Sequence, residues 1–367
     1  MAALTSRERV LMAVAHREPD RPPIQLYLTP EMHDRLLTHF GREPREALQV
    51  DFASVGVKYL GPVRRPQPGS HISHYDIFGV GYERVQNAVG GTYDEARDLA
   101  LARLETMDDV ARYPWPDPAA HDYDAIPEQI ARARKTGKAT TLGGAGIPDI
   151  INGVGRGRGM DRVLMDIATG DEVGTAIIDR RVNFYYQVMR RSMEVARGAL
   201  DILCLGEDLG TQKGPTISPA TFDRFFRPRL QCFFDLAHEF GAKVMLHSCG
   251  STRLLLPRLI EMGLDILDAV QPEPEGMTPE ALKRDFGDQL TFCGMLSTQR
   301  TLPYGTPETC RTEAERLVRV IGRGGGYIFA PAHCIQPDTP VDNVLAAYSV
   351  LVPGLWPASK VRHRSDE

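Results

Sequence analysis

Residues 242–272, AKVMLHSCGSTRLLLPRLIEMGLDILDAVQP, read as one strand–helix–strand unit. An apolar run from Ala242 to Leu246 gives way to the polar turn His247-Ser248-Cys249-Gly250. A helical pattern follows over 252–262, and a second apolar run begins at Asp265. Two strand-length apolar runs joined through a helix imply parallel strands, because the crossover must return the chain to the same end of the sheet.

The same rhythm extends outward in both directions. Strand-like runs occur at PPIQLY (22–27), VDFASVGVKYLG (50–61), ATTLGGA (139–145), DILCLGEDLG (201–210), LTFCGML (290–296) and GGYIFAPAH (325–333), which with the two above makes eight. Helical patterns over about 171–197, 218–240 and 340–354 alternate with them. A capped helix, RERVLMAVAH after Thr5 or Ser6, is expected ahead of the first strand. Eight strands fit a closed (β/α)₈ barrel better than an open doubly wound sheet, and no Gly-rich dinucleotide loop follows the first strand. The polar stretch 62–138, with the hairpin-like HISHYDIFGVGYERV at 71–85, reads as an insertion or lid between strands two and three. No linker divides residues 1–367, so one barrel domain is expected, with a charged, frayed tail at 360–367.

Composition narrows the partners. The 43 basic and 48 acidic residues leave a net charge of -5, which gives no electrostatic reason to expect nucleic acid or an anionic membrane surface. No run reaches the roughly 18 apolar residues of a spanning helix, and charges interrupt the first twenty residues, so no secretory apolar core is present there. Six cysteines at scattered spacing favour free thiols in a reducing, cytoplasmic compartment. Small-molecule chemistry is the default expectation.

In a barrel of this kind the active site gathers at the C-terminal strand ends. Those ends carry Glu207 and Asp208 on strand four, His247, Ser248 and Cys249 on strand five, Gln271 on six, Cys293 on seven, and His333 and Cys334 on eight. His247 and Cys249 stand two apart and can face one centre. With Cys334 they would form a three-ligand zinc site whose fourth position stays open to substrate, although His333 competes with Cys334 for that role. Glu207 and Asp208 are candidates to orient the site or accept a proton, and Arg253 to bind an acidic group. The plainer alternatives are a backbone-bonded histidine beside an inert thiol, two carboxylates that cap a loop, Cys204 and Cys293 as core residues, and His71, His74 and Asp76 as solvated polar groups.

Three segments, GEDLGTQKGPTISPATFDRFFRPRL, KVMLHSCGSTRLLLPRLIEMGLDILDAVQPE and GGGYIFAPAHCIQPDTPVDNVLAAY, together with the opening SRERVLMAVAHREPDRPPI, resemble the uroporphyrinogen decarboxylase superfamily over nearly the whole chain. The resemblance implies the barrel, and within the superfamily it is closest to the zinc-dependent corrinoid and coenzyme M type methyltransferases. Those bind zinc through His-x-Cys and a later cysteine, here His247, Cys249 and Cys334. It further implies a methyl-corrinoid carried on a partner protein, with a thiol or tetrahydrofolate as acceptor, candidate cofactor contacts at Gln271 and Gln336, and a homodimer. True uroporphyrinogen decarboxylases carry an Arg-Gln-Ala-Gly-Arg segment after the first strand, where this chain reads LYLTPEMHDRLL. Methyl transfer in a demethylation pathway is therefore the leading expectation, and a metal-independent decarboxylase acting on a small acid is the alternative.

Overall fold

The computed structural model describes residues 4–356, so the charged tail at 360–367 lies outside the described residues. Seven parallel strands form one curled sheet: β1 (Phe52–Val55), β5 (Ala139–Pro148), β6 (Ile202–Gly206), β7 (Lys243–His247), β8 (Ile266–Val270), β9 (Thr291–Leu296) and β10 (Tyr327–Pro331). They lie side by side in chain order. The eighth stave is the extended segment 24–28, which carries the expected first strand. Gln25 N donates to Phe329 O at 2.9 Å and Phe329 N to Pro23 O at 2.8 Å on one side, while Asp51 N donates to Ile24 O at 2.9 Å on the other. The segment thus bridges β10 to the residue ahead of β1, and all eight apolar runs occupy staves of a TIM-type barrel.

The expected helices form with small shifts. Thr5 caps Ser6–Val14 in a reciprocal capping box with Glu8, and Asp171 caps the long helix Glu172–Ala196. The pattern over 218–240 forms as a short turn, a π-type turn at Phe222–Phe226 and the helix Arg227–Glu239. The last helix, Val341–Tyr348, ends before residue 354, and its remaining expected length is turns.

The stretch 62–138 divides in two. Strands β2 (His74–Tyr75), β3 (Gly81–Gln86) and β4 (Thr92–Asp98) form a separate antiparallel sheet, as the hairpin pattern implies. Its tip reaches the barrel, because Thr92 donates through N and Oγ1 to Glu31 Oε1 in the helix Pro30–Phe40, at 2.8 and 2.9 Å. By contrast, the helix Ile126–Lys135 packs on β1 and β5 and serves as the crossover between them, so it belongs to the barrel rather than to the insertion. Asp76 is not a solvated group as expected: its Oδ1 accepts from Phe78 N and Val80 N at 2.9 Å and its Oδ2 from Tyr82, which locks the β2–β3 turn.

The barrel closure rests on a buried ion cluster. Asp51 is fully buried, and its carboxylate accepts from Arg9 Nη1 at 2.8 Å, Arg21 Nη1 at 2.7 Å and Ile24 N at 2.7 Å. It therefore joins the N-terminal helix, the closing segment and β1. Removing Asp51 leaves Arg21 without its carboxylate partner and Arg9 with Asp20 alone, a break in a buried ion cluster that costs about 3–5 kcal/mol. Asp51→Ala is expected to lower the unfolding free energy by about that much in a denaturant titration. A loss of less than about 1 kcal/mol would show that the barrel does not depend on this closure.

Candidate active site

The mouth residues sit where the barrel's register puts them. In the β7–β8 pair His247 lies beside Asp268, so both side chains leave the sheet on the same side. His247 Nδ1 donates to Asp268 Oδ2 at 3.0 Å, and its Nε2 faces Cys249 Sγ at 3.6 Å. Tyr27 Oη, from the closing segment, donates to Asp268 Oδ1 at 2.8 Å. Asp268 is thereby held from two sides and anchors the Nδ1 proton of His247, which aims Nε2 at the Cys249 side. Burial opposes protonation of His247, but the Asp268 carboxylate and Cys249 outweigh it and push its pKa up to about 11. A metal at Nε2 would therefore have to displace a proton.

Among the described residues one group offers metal-ligand atoms within 4.8 Å of one another: His247, Cys249 and His333. Burial and the neighbouring His247 hold the His333 imidazole below the usual histidine range, which keeps it neutral and available as a ligand. Cys334, the third ligand expected from sequence, lines the same cavity but lies outside this group, and burial raises its thiol.

The turn carrying Cys249 is clamped. Cys249 N donates to Asp208 Oδ1 at 2.9 Å, Gly250 N to Gln271 Oε1 at 3.0 Å and Ser251 N to Thr211 O at 2.7 Å. Asn152 Nδ2 fixes the other Asp208 oxygen at 2.8 Å. Gly250 takes φ +78°, and a Cβ there would stand 2.5 Å from the Gly210 backbone, so only glycine lets the loops after β6 and β7 touch.

The other sequence candidates have structural partners. Glu207 is 1% exposed and accepts from Ile150 N at 2.6 Å and Ile151 N at 3.0 Å, so it caps the helix Ile150–Arg158. Asp208 and Gln271 hold the Cys249 turn. Arg253 pairs with Asp285, donates to Gly276 O at 3.1 Å and lies over the Phe286 ring, and it is not among the residues lining the cavity. Gln336 donates to Cys334 O at 3.1 Å within its own loop. Cys293 is buried, as expected for a core residue, whereas Cys204 lines the cavity.

The cavity itself is about 350 Å³ and is lined by Tyr27, Thr141, Cys204, His247, Asp268 and His333, among others. A larger concavity of about 850 Å³ is an open groove beside Arg9, Arg21 and Lys138, and it contains none of the ligand group. Its greater size reflects the open surface, so the chemistry is placed in the smaller, more enclosed cavity. Sequence reading missed Asp268 and Tyr27. The one available signal was an aspartate inside DILDAV, whose strand β8 is buried at every position.

Comparison with known proteins agrees with this architecture. The uroporphyrinogen decarboxylase (URO-D) family model matches residues 85–351. A uroporphyrinogen decarboxylase of Anaeromyxobacter sp. is 28% identical over 137 residues, which is 37% of this chain and 37% of that protein's length. The solved structure of a methyltransferase from Methanosarcina mazei shares the fold at a TM-score of 0.61, with 16% identity over 95% of this chain and 98% of that one.

Glu207 provides a test of the site's electrostatics. Burial first, then Asp149, raise its carboxyl to about 8, against the two amide donors that favour ionisation. An unfolded glutamate ionises near 4.5, so between about pH 4.5 and 8 the unfolded chain has released a proton that the folded chain keeps, and stability falls across that window. Glu207→Gln has no proton to lose. The difference in unfolding free energy between wild type and this variant is expected to move in the variant's favour from about pH 5 to about pH 8. A difference independent of pH would contradict the raised carboxyl.

Proposed function

The chain belongs to the uroporphyrinogen decarboxylase family, and from that premise we propose that it is a zinc-dependent methyltransferase acting on a small molecule, with His247, Cys249 and His333 as the metal ligands. The observation that carries the reading is the geometry of this group. Ligand atoms about 2.0–2.1 Å (His N) and about 2.3 Å (Cys S) from a tetrahedral zinc stand about 3.6 Å apart. The His247 Nε2 to Cys249 Sγ distance is 3.6 Å. His333 completes three ligands, which leaves a fourth position for substrate, the pattern of a catalytic rather than a structural zinc.

When bound, zinc would supply Lewis acidity, lowering the pKa of a thiol acceptor so that it is nucleophilic toward a methyl group at neutral pH. The chain's own residues prepare that position. Asp268 fixes the tautomer and ring orientation of His247, and Tyr27 holds Asp268. Asp208, itself bonded by Asn152, keeps the Cys249 turn in register with β6.

The choice of His333 over Cys334 departs from the ligand set implied by family resemblance and follows the side chains that converge. Methyl transfer is also the class named for the structural relative from Methanosarcina mazei, whose likeness extends to the fold. A corrinoid protein or a free thiol would be the exchange partner. Porphyrinogen decarboxylation draws no support from the cavity, because a polycarboxylate needs several cationic contacts and, among the described residues, neither arginine nor lysine lines it.

Zinc content of purified protein tests the ligand set. About one zinc per chain is expected in wild type and in Cys334→Ser, with loss in His247→Ala, Cys249→Ser and His333→Ala. Retention in His333→Ala with loss in Cys334→Ser would transfer the third position to Cys334, and a metal-free wild type with full activity would overturn the proposal. Asp268→Asn is expected to weaken zinc binding about 10–100-fold in chelator competition, because the ligand remains while its orientation and basicity change.

A further inference from the structure

The cavity wall contains two polar groups that no structural role uses. Gln25 is 7% exposed and lines the cavity. Its Oε1 accepts from Arg45 Nη2 at 2.9 Å and from Leu26 N at 3.0 Å. Both partners can only donate, so the amide orientation is fixed, with oxygen toward Arg45 and the NH₂ group left over. Among the described residues Nε2 has no acceptor within the protein. Thr141 is likewise 7% exposed and lines the cavity, and its hydroxyl has no bond to the protein among the described residues, whereas the adjacent Thr140 bonds Asp201 on the other side of the strand. Neither atom is sealed off from the cavity, so these two unused groups on residues that are otherwise buried are open to a ligand that satisfies them.

Arg45 sharpens the donor. It is largely buried, no carboxylate stands within ion-pair distance of it among the described residues, and it lines the outer groove rather than this cavity. Its guanidinium bonds the Gln25 amide oxygen, which polarises that amide and strengthens the Nε2–H donor facing the cavity. Among the described residues His247 is the one cationic side chain on this wall, and Asp268 already neutralises it at 3.0 Å, so the desolvation of a full anion inside would be poorly compensated. An uncharged oxygen acceptor suits the donor better.

Resting on the methyltransferase reading of the same site, we infer that the substrate is a small, uncharged methyl compound bearing a carbonyl-type oxygen that accepts from Gln25 Nε2 and the Thr141 hydroxyl. At about 350 Å³ the cavity lies at the small end of ligand sites, which suits a one-ring compound rather than a large cofactor.

Binding tests this without turnover. Dissociation constants of 4-methoxybenzaldehyde, 4-methylanisole and 4-methoxybenzoate, measured by ligand-observed NMR titration on the full chain, separate an uncharged acceptor, none, and an anion. The aldehyde is expected to bind about tenfold more tightly than either of the others. Thr141→Val, which keeps shape, should reduce that preference. Gln25→Glu, which keeps a partner for Arg45 but replaces the donor by an acceptor, should abolish it. Equal binding of 4-methylanisole, tighter binding of the benzoate, no binding of the aldehyde, or a preference that survives Gln25→Glu would overturn the inference. Because the readout needs neither zinc nor methyl transfer, an aldehyde preference in a protein without methyltransferase activity would sink the functional reading and leave only the oxygen-acceptor subsite at Gln25 and Thr141 standing.

Discussion

A single buried carboxylate, Asp268, ties the mouth of this barrel together. It lies in a strand with no exposed position and meets His247 from β7 and Tyr27 from the closing segment. Burial alone would push its proton on, yet the hydrogen bonds and charge of its partners keep it below the usual aspartate range. A carboxylate so placed is stable only if those partners stay in position, and this requirement couples the ligand histidine to barrel closure. Tyr27 comes from the same segment that Asp51 anchors at Ile24, so one short stretch of chain completes both the barrel and the site.

Around that centre the loops are held by their backbones. The turn after β7 donates three successive amides, from Cys249, Gly250 and Ser251, to groups on the loops after β6 and β8. At the strand ends Glu207 and Asp208, candidates for proton handling, and Gln271, a candidate cofactor contact, bond this turn or cap a helix. A site built in this way keeps its reactive atoms fixed without using those atoms for structure. Among the described residues, what remains without a structural role at or beside the cavity is a short list: His247 Nε2 and the Cys249 thiol, which face each other, with His333, Gln25 Nε2 and the Thr141 hydroxyl.

The fold was largely legible before the structure. Eight apolar runs, the helical patterns between them and the capping signal at Thr5 follow from local periodicity, and each forms near its expected place. The insertion was harder to delimit. The helix Ile126–Lys135 is amphipathic and charged like the polar stretch before it, and only its packing on β1 and β5 assigns it to the barrel. Asp76 was misread because a turn that buries a carboxylate behind two amides has the composition of an exposed loop.

By itself the sequence determined that the chain alternates strands and helices and that His247 and Cys249 leave one strand end together, because period-two side-chain alternation is a local property. It also placed polar residues at the other strand ends. Only the tertiary structure decided what each of them meets: that His333 rather than Cys334 converges on the pair, that Glu207 and Arg253 face partners elsewhere, and that Asp268 and Tyr27 stand behind the histidine. These outcomes depend on inter-strand register and on which of two adjacent side chains turns inward where a strand passes into a loop. Register is set between segments distant in the chain, and no local pattern encodes it.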